Sequence, residues 1–121
     1  MDRIAEDGFI SSFTGMQKEV HENAKKHGWW KFPRKFGELI ALVHSELSEA
    51  LEAYREVGDS IGKTYYSGEE KKPEGVPSEL ADVVIRVMDI SERYGIDLAS
   101  MIVEKHEFNK KREYRHGGKA I

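Results

Sequence analysis

The stretch KFGELIALVHSELSEALEAYREV, residues 35–57, carries apolar side chains at Phe36, Leu39, Ile40, Val43, Leu47, Ala50, Leu51, Tyr54 and Val57. Steps of three and four residues put all of these on one side of an α-helix, and the run is too long for a strand. Gly58 follows as a natural C-terminal stop. The same pattern recurs on either side. Upstream, Phe9, Phe13, Met16, Val20 and Ala24 form a stripe that Gly28 closes, and Trp29-Trp30-Lys31-Phe32-Pro33 makes a connector. Downstream, Pro77 suits a helix's first turn; Leu80, Val83, Val84, Val87, Ile90 and Tyr94 continue the stripe as far as Gly95. Asp97 is the expected N-cap of a fourth helix, with Ile96 and Met101 spaced as a hydrophobic staple. That helix is expected to run to about Glu113, before a Gly-Gly-Lys tail.

No segment alternates with period two. The expectation is an all-α, four-helix bundle-like single domain over residues 1–121, with a long flexible loop between helices 2 and 3. That loop, residues 58–76, holds four glycines, Pro73 and the charged run Glu69-Glu70-Lys71-Lys72. Its length predicts a mobile flap with at most a short helical turn.

Composition narrows the function classes. A chain of 121 residues fits one domain with little surplus core. The net charge of −3 gives no basic field to hold a nucleic acid polymer. Cysteine is absent, which excludes disulfides and thiolate-held metals. No apolar run approaches the roughly 18 residues of a membrane span, and the acidic N-terminus lacks a secretory apolar core. No membrane association and a cytoplasmic location are therefore the expectations.

Two acidic pairs carry the chemistry. Glu46 and Glu49 lie in helix 2, Glu79 and Asp82 in helix 3, each pair at i, i+3 and so on one helix face. The contexts match: Glu46-Leu-Ser-Glu-Ala-Leu beside Glu79-Leu-Ala-Asp-Val-Val. At about 100° per residue, Glu46 borders the apolar stripe beside Leu39 and Ala50, and Glu79 stands in the same relation to Val83 and Ile90. Glu49 and Asp82 sit roughly 60° further out. If the helices pack side by side, four carboxylates converge, and a divalent cation relieves their repulsion. An all-oxygen ligand set suits Mg²⁺, with Mn²⁺ as the variant, and Mg²⁺ commonly bridges carboxylates to phosphates. Among 22 acidic residues, such pairs also occur on solvated faces, and Glu52 and Glu56 are read that way.

The stretch Gly37 to Arg55, with Glu46/Glu49 followed by Glu79/Asp82, resembles the MazG-like nucleotide pyrophosphohydrolases, whose signature is E-x-x-E followed by E-x-x-D. Gly28-Trp29-Trp30 and the late Lys105, Asn109, Arg112 and Gly117-Gly118-Lys119 extend the resemblance over roughly residues 20 to 120. The 29 residues between the two motifs exceed the shorter linkers of many relatives, so subfamily and substrate stay open. The resemblance implies an all-α, Mg²⁺-dependent enzyme, a homodimer or homotetramer. Its reaction cleaves nucleoside triphosphates, including deoxy or non-standard ones, to monophosphate and pyrophosphate, as nucleotide-pool house-cleaning. It implies Glu46, Glu49, Glu79 and Asp82 as metal ligands, with Glu46 or Glu49 as general base.

Further candidates are weaker. Lys105, Asn109 and Arg112 share one face of the fourth helix with Leu98, Met101 and Ile102. Lys105 and Arg112 are candidates to grip phosphate and Asn109 the sugar or phosphate; the pattern alone reads as a helix end snorkelling into solvent, and the resemblance reverses that for Lys105 and Asn109. Trp29 and Trp30 offer aromatic faces to a base, although adjacent tryptophans in a connector more often pack. His44 reads as structural. Gly58 to Thr64 has three residues between its glycines where a P-loop needs four, and no strand precedes it. Glu113-Tyr114-Arg115-His116 is a single E-x-x-H where di-iron bundles need two. The rival to an enzyme is a non-catalytic oligomeric helical module that binds nucleotide or metal.

Overall fold

A computed structural model describes residues 1–112. Four helices, α1 (Arg3–Lys26), α2 (Phe36–Val57), α3 (Val76–Arg93) and α4 (Leu98–Lys110), are joined by short turns and one hairpin of β1 (Tyr65–Ser67) and β2 (Lys72–Glu74). The principal helix contacts run α2 to α3, α3 to α1, and α1 to α4, so α3 is central.

Local chemistry sets the helix ends. The Asp2 carboxylate accepts from the Ala5 N–H at 2.8 Å and caps α1. Gly28, at φ 84°, turns the chain out of α1, and the Trp29 N–H reaches back to the Ala24 carbonyl at 3.1 Å. Pro77 lies in the first turn of α3 as expected, one residue after the helix begins. Asp97 does cap α4, accepting from the Ser100 N–H at 3.1 Å. Ile96 and Met101, the expected staple, both remain more than 40% exposed. Helix α4 ends at Lys110, short of the expected Glu113. Glu113-Tyr114-Arg115-His116 and Gly117-Gly118-Lys119 lie outside the described residues.

The loop expectation needs correction. Within residues 58–76 the chain forms an antiparallel hairpin pairing Tyr65 with Glu74, Tyr66 with Pro73 and Ser67 with Lys72. Three-residue strands are too short to display alternation, and Lys-Pro-Glu is a composition that strands avoid. A two-stranded ribbon tolerates Pro73 because the proline can sit where no ladder N–H is required. Gly68 (φ 72°) and Lys71 (φ 57°) supply the left-handed turn residues.

The core is thin. Val20, Leu39, Ala50, Met88, Ile90 and Ala99 are its buried apolar residues, and no large side chain among the described residues is completely enclosed. Of the nine apolar residues in the α2 stripe, only Leu39 and Ala50 are buried; Ile40, Leu47, Leu51 and Tyr54 stay 42–50% exposed. On α3, Leu80, Val84 and Ile85 do likewise. No described helix is long and apolar enough to cross a membrane.

Gly75 joins the hairpin to α3 and has two reasons to be glycine. Its φ is 108°, and a Cβ there would meet the Lys63 carbonyl oxygen at 2.7 Å. Gly75→Ala is expected to cost about 1–3 kcal/mol of stability in urea denaturation. An unchanged midpoint would mean that the hairpin does not constrain the start of α3.

Candidate functional site

Packing of α2 on α3 brings together carboxylates that are far apart in sequence. Glu46, Glu79 and Asp82 each offer an oxygen within 4.8 Å of the others. Glu49 does not join this trio. It lies on the exposed side of α2, yet its charge still reaches Glu79. The expected convergence of four acids is thus three in close proximity and a fourth at the rim. Glu49 sits about 60° further round α2 than Glu46 and is exposed where Glu46 is half-buried.

The cluster is electrostatically uncomfortable. Burial holds the Glu79 carboxyl above its ordinary range, and Asp82, Glu49, Glu46 and Glu74 add to the shift. Asp82 is likewise raised, first by burial and then by Glu46, while Arg86 and Lys72 pull the other way. Lys72 and Glu74 both come from β2, so the hairpin contributes charge to the edge of the cluster. The donor set fits a hard cation. The three oxygens, within 4.8 Å of one another, would draw in around Mg²⁺, where no two of six ligand oxygens stand more than about 4.2 Å apart.

Arg86 was not singled out from sequence and is central here. Its Nη2 donates to Glu46 Oε1 at 3.3 Å, a long single contact between largely buried side chains. Its guanidinium lies 3.7 Å from the centre of the Trp29 ring, a stacking worth about 0.5–2 kcal/mol. Its Nε is buried without a hydrogen-bond partner among the described residues, at a cost of about 1–3 kcal/mol. Arg34 approaches the same indole at 5.3 Å.

Beside the acids, α1, the connector and α3 enclose a cleft of about 590 Å³. Met16, Val20, Ala24 and Ile85 supply apolar wall, Trp29 an aromatic one, and Glu46, Asp82, Arg86 and Asp89 charge. Asn23, Glu19 and His27 line it from α1 and its end.

A buried polar hub holds this cleft in shape. Asp89, only 3% exposed, accepts at Oδ1 from the Trp30 indole N–H at 2.8 Å and sits 2.7 Å from His21 Nδ1. The His21 ring meets Trp30 edge-on, with centroids 5.7 Å apart, and Arg93 lies 5.0 Å from the Trp30 ring. Gln17 Nε2 donates to Glu92 and to the Ile96 carbonyl, tying α1 to the end of α3.

The sequence candidates therefore divide. Glu46, Asp82 and Trp29 line one cleft, and Glu79 joins Glu46 and Asp82 in the acid trio at its edge. Trp30 faces the buried hub: its indole N–H donates to Asp89, and His21 and Arg93 lie against its ring. Lys105, Asn109 and Arg112 are exposed on and just after α4, which packs on α1, and none of them lines the cleft. A helix face says nothing about which neighbour it meets. His44 is exposed on α2 and takes no part in the cluster. The missed Arg86 and Asp89 were readable: with Glu79 and Asp82, at steps of three, four and three, they form a charged ridge along α3.

Compared with protein-family models, with curated proteins and with solved structures, the chain has no match.

Two predictions follow from this geometry. Glu79 and Asp82 bind protons more tightly folded than unfolded, so the native state holds the extra protons between the ordinary carboxylate range and the raised values. Stability of the metal-free protein should therefore fall as pH climbs through that window. Glu79→Gln is expected to raise the melting temperature near pH 7 in chelator and to shrink that fall; an equal or lower melting temperature would mean that the acids do not repel. Separately, Asp89→Ala removes the acceptor shared by Trp30 and His21, and should cost about 3–5 kcal/mol in urea denaturation. A loss below about 1 kcal/mol, the size of an ordinary hydrogen bond, would remove the hub from the account.

Proposed function

We propose that this chain is a Mg²⁺-dependent nucleoside-triphosphate pyrophosphohydrolase of the all-α MazG-like kind. The observation that carries the proposal is the meeting of two sequence-distant i, i+3 acid pairs at one helix–helix contact, with three carboxylates in close range beside an aromatic-walled cleft. The volume of about 590 Å³ lies within the range of small-molecule sites. A structural cluster of acids has no use for such a neighbour, whereas a nucleotide needs both: a cation site for its phosphates and a walled space for its nucleoside.

Glu46, Glu79 and Asp82 would hold the cation, with Glu49 at the rim. When bound, Mg²⁺ neutralises the triphosphate and acidifies a bound water. We assign proton abstraction from the attacking water to Glu49, because Glu46 already shares its charge with Arg86 while Glu49 faces solvent. One water is consumed, the bond between the α- and β-phosphates breaks, and the products are nucleoside monophosphate and pyrophosphate. Trp29, Met16 and Val20 would take the nucleoside, and Asn23 offers an amide for a base edge. The cations nearest the acids are Arg86 and Lys72, and these replace Lys105 and Arg112 as the phosphate ligands supplied by a single chain.

The proposal includes self-association as a homodimer or homotetramer. Its support is the uncovered apolar surface of α2 and α3 at Leu47, Leu51, Tyr54, Leu80 and Val84.

Product analysis over the standard NTPs and dNTPs and damaged forms, with and without Mg²⁺, tests this reading. Monophosphate and pyrophosphate should form only with metal. Glu46→Gln and Asp82→Asn should each lower kcat by at least about 100-fold. No turnover, release of single phosphates, or full activity in both variants would overturn it and leave the non-catalytic binding module.

A further inference from the structure

Arg86 has three interactions that do not fit a static role. It pairs with Glu46 through one long contact of 3.3 Å, although a guanidinium can grip a carboxylate with two parallel N–H groups. It lies over the Trp29 ring, 3.7 Å from its centre. Its Nε–H points to no acceptor among the described residues although it is buried. The side chain thus sits between the acid cluster and the cleft with half of its hydrogen-bonding fork unused. It is also one helical turn beyond Asp82, so its charge bears on two of the three clustered acids at once.

We propose that Arg86 is a resident counter-cation of the acid cluster, which yields Glu46 when a divalent cation takes that carboxylate and then turns its vacant fork to the phosphates. This rests on the pyrophosphohydrolase reading of the acids. Without a metal, Glu46, Glu79 and Asp82 repel one another, and Arg86 is the guanidinium bonded to the trio. Glu46 cannot serve both partners fully: an oxygen drawn toward a cation near Glu79 and Asp82 leaves a contact that is already at the limit of a hydrogen bond. The freed guanidinium remains tethered beside Trp29 at the cleft wall. There, a phosphate with two oxygens in one plane satisfies both the orphaned Nε–H and an Nη–H, which a single carboxylate contact does not. Metal loading and phosphate binding are then coupled through one side chain, and the Trp29 indole beside it reports the guanidinium's change of partner.

The coupling predicts opposite signs for two affinities in Arg86→Gln. Mg²⁺ alone, measured by calorimetry on the full chain, should bind on the order of 10-fold tighter than to wild type, because its competitor is gone. Inorganic pyrophosphate in saturating Mg²⁺ should bind on the order of 10-fold more weakly, because its ligand is gone. A merely structural role for Arg86 moves both affinities the same way. A variant with a native melting curve whose Mg²⁺ affinity is unchanged or weaker overturns the proposal. A second measurement needs no Arg86 variant: Mg²⁺ added to wild type should shift tryptophan emission, and Trp29→Phe should abolish that shift. Mg²⁺ binding with silent emission also overturns the proposal. If wild type binds no Mg²⁺ at all, the metal centre itself fails, and the enzymatic reading falls with it.

Discussion

A carboxylate taken out of water must find partners that replace its hydration, and Asp89 finds them on two other parts of the chain. It stands on α3, receives Trp30 from the connector, and abuts His21 on α1. In a domain with so few enclosed apolar side chains, this polar hub supplies geometric definition that the core does not. It sets the angle at which the connector leaves α1 and therefore where Trp29 stands. Trp29 in turn is the platform for Arg86, and Arg86 touches Glu46. A chain of direct contacts thus runs from the buried hub to the acid cluster, and the cleft is the space along its side.

Helix α3 serves two opposed demands. One side of it is apolar and buries Met88 and Ile90; the ridge Glu79, Asp82, Arg86, Asp89 is charged, and its last three residues line the cleft. The charges change sign along that ridge for a reason visible in the energetics. The first two are repelled by acids on α2, and Glu79 also by Glu74 of the hairpin, whereas Lys72 there attracts Asp82. The third relieves Asp82. The fourth meets Trp30 and His21 and is buried. Strain is concentrated at the end where a ligand can relieve it, and satisfaction at the end that holds the helices together. This is the usual division between a site and its scaffold, compressed here into three turns of one helix.

Much of this was legible because helices write their faces into sequence at a fixed period. The α2 stripe, the caps at Gly28, Gly58 and Asp97, and the two acid pairs all follow from the positions of single residues along one helix. What was not legible depends on relations between segments. Trp30 reads the same whether its indole meets a base or Asp89, and only the fold brings residue 89 to residue 30. Lys105 and Asn109 share a face with apolar residues, but whether that face looks toward Glu46 depends on α4 packing against α1. The hairpin was missed for a local reason. Its three-residue strands bury almost nothing, and its order comes from the turn at Gly68–Lys71 and the close approach of Gly75 to Lys63, neither of which leaves a periodic trace.

The thin core bears on the proposed assembly through the side chains it leaves uncovered. A specific interface removes about 800 Å² from each partner, and obligate ones remove more. The half-exposed Leu47, Leu51 and Tyr54 on α2 and Leu80 and Val84 on α3 are the apolar residues such pairing would cover. Glu46 and Glu79 lie on these same two helices. A second copy seated against α2 and α3 would stiffen the pair that holds the acids together, so assembly and metal affinity should rise and fall together.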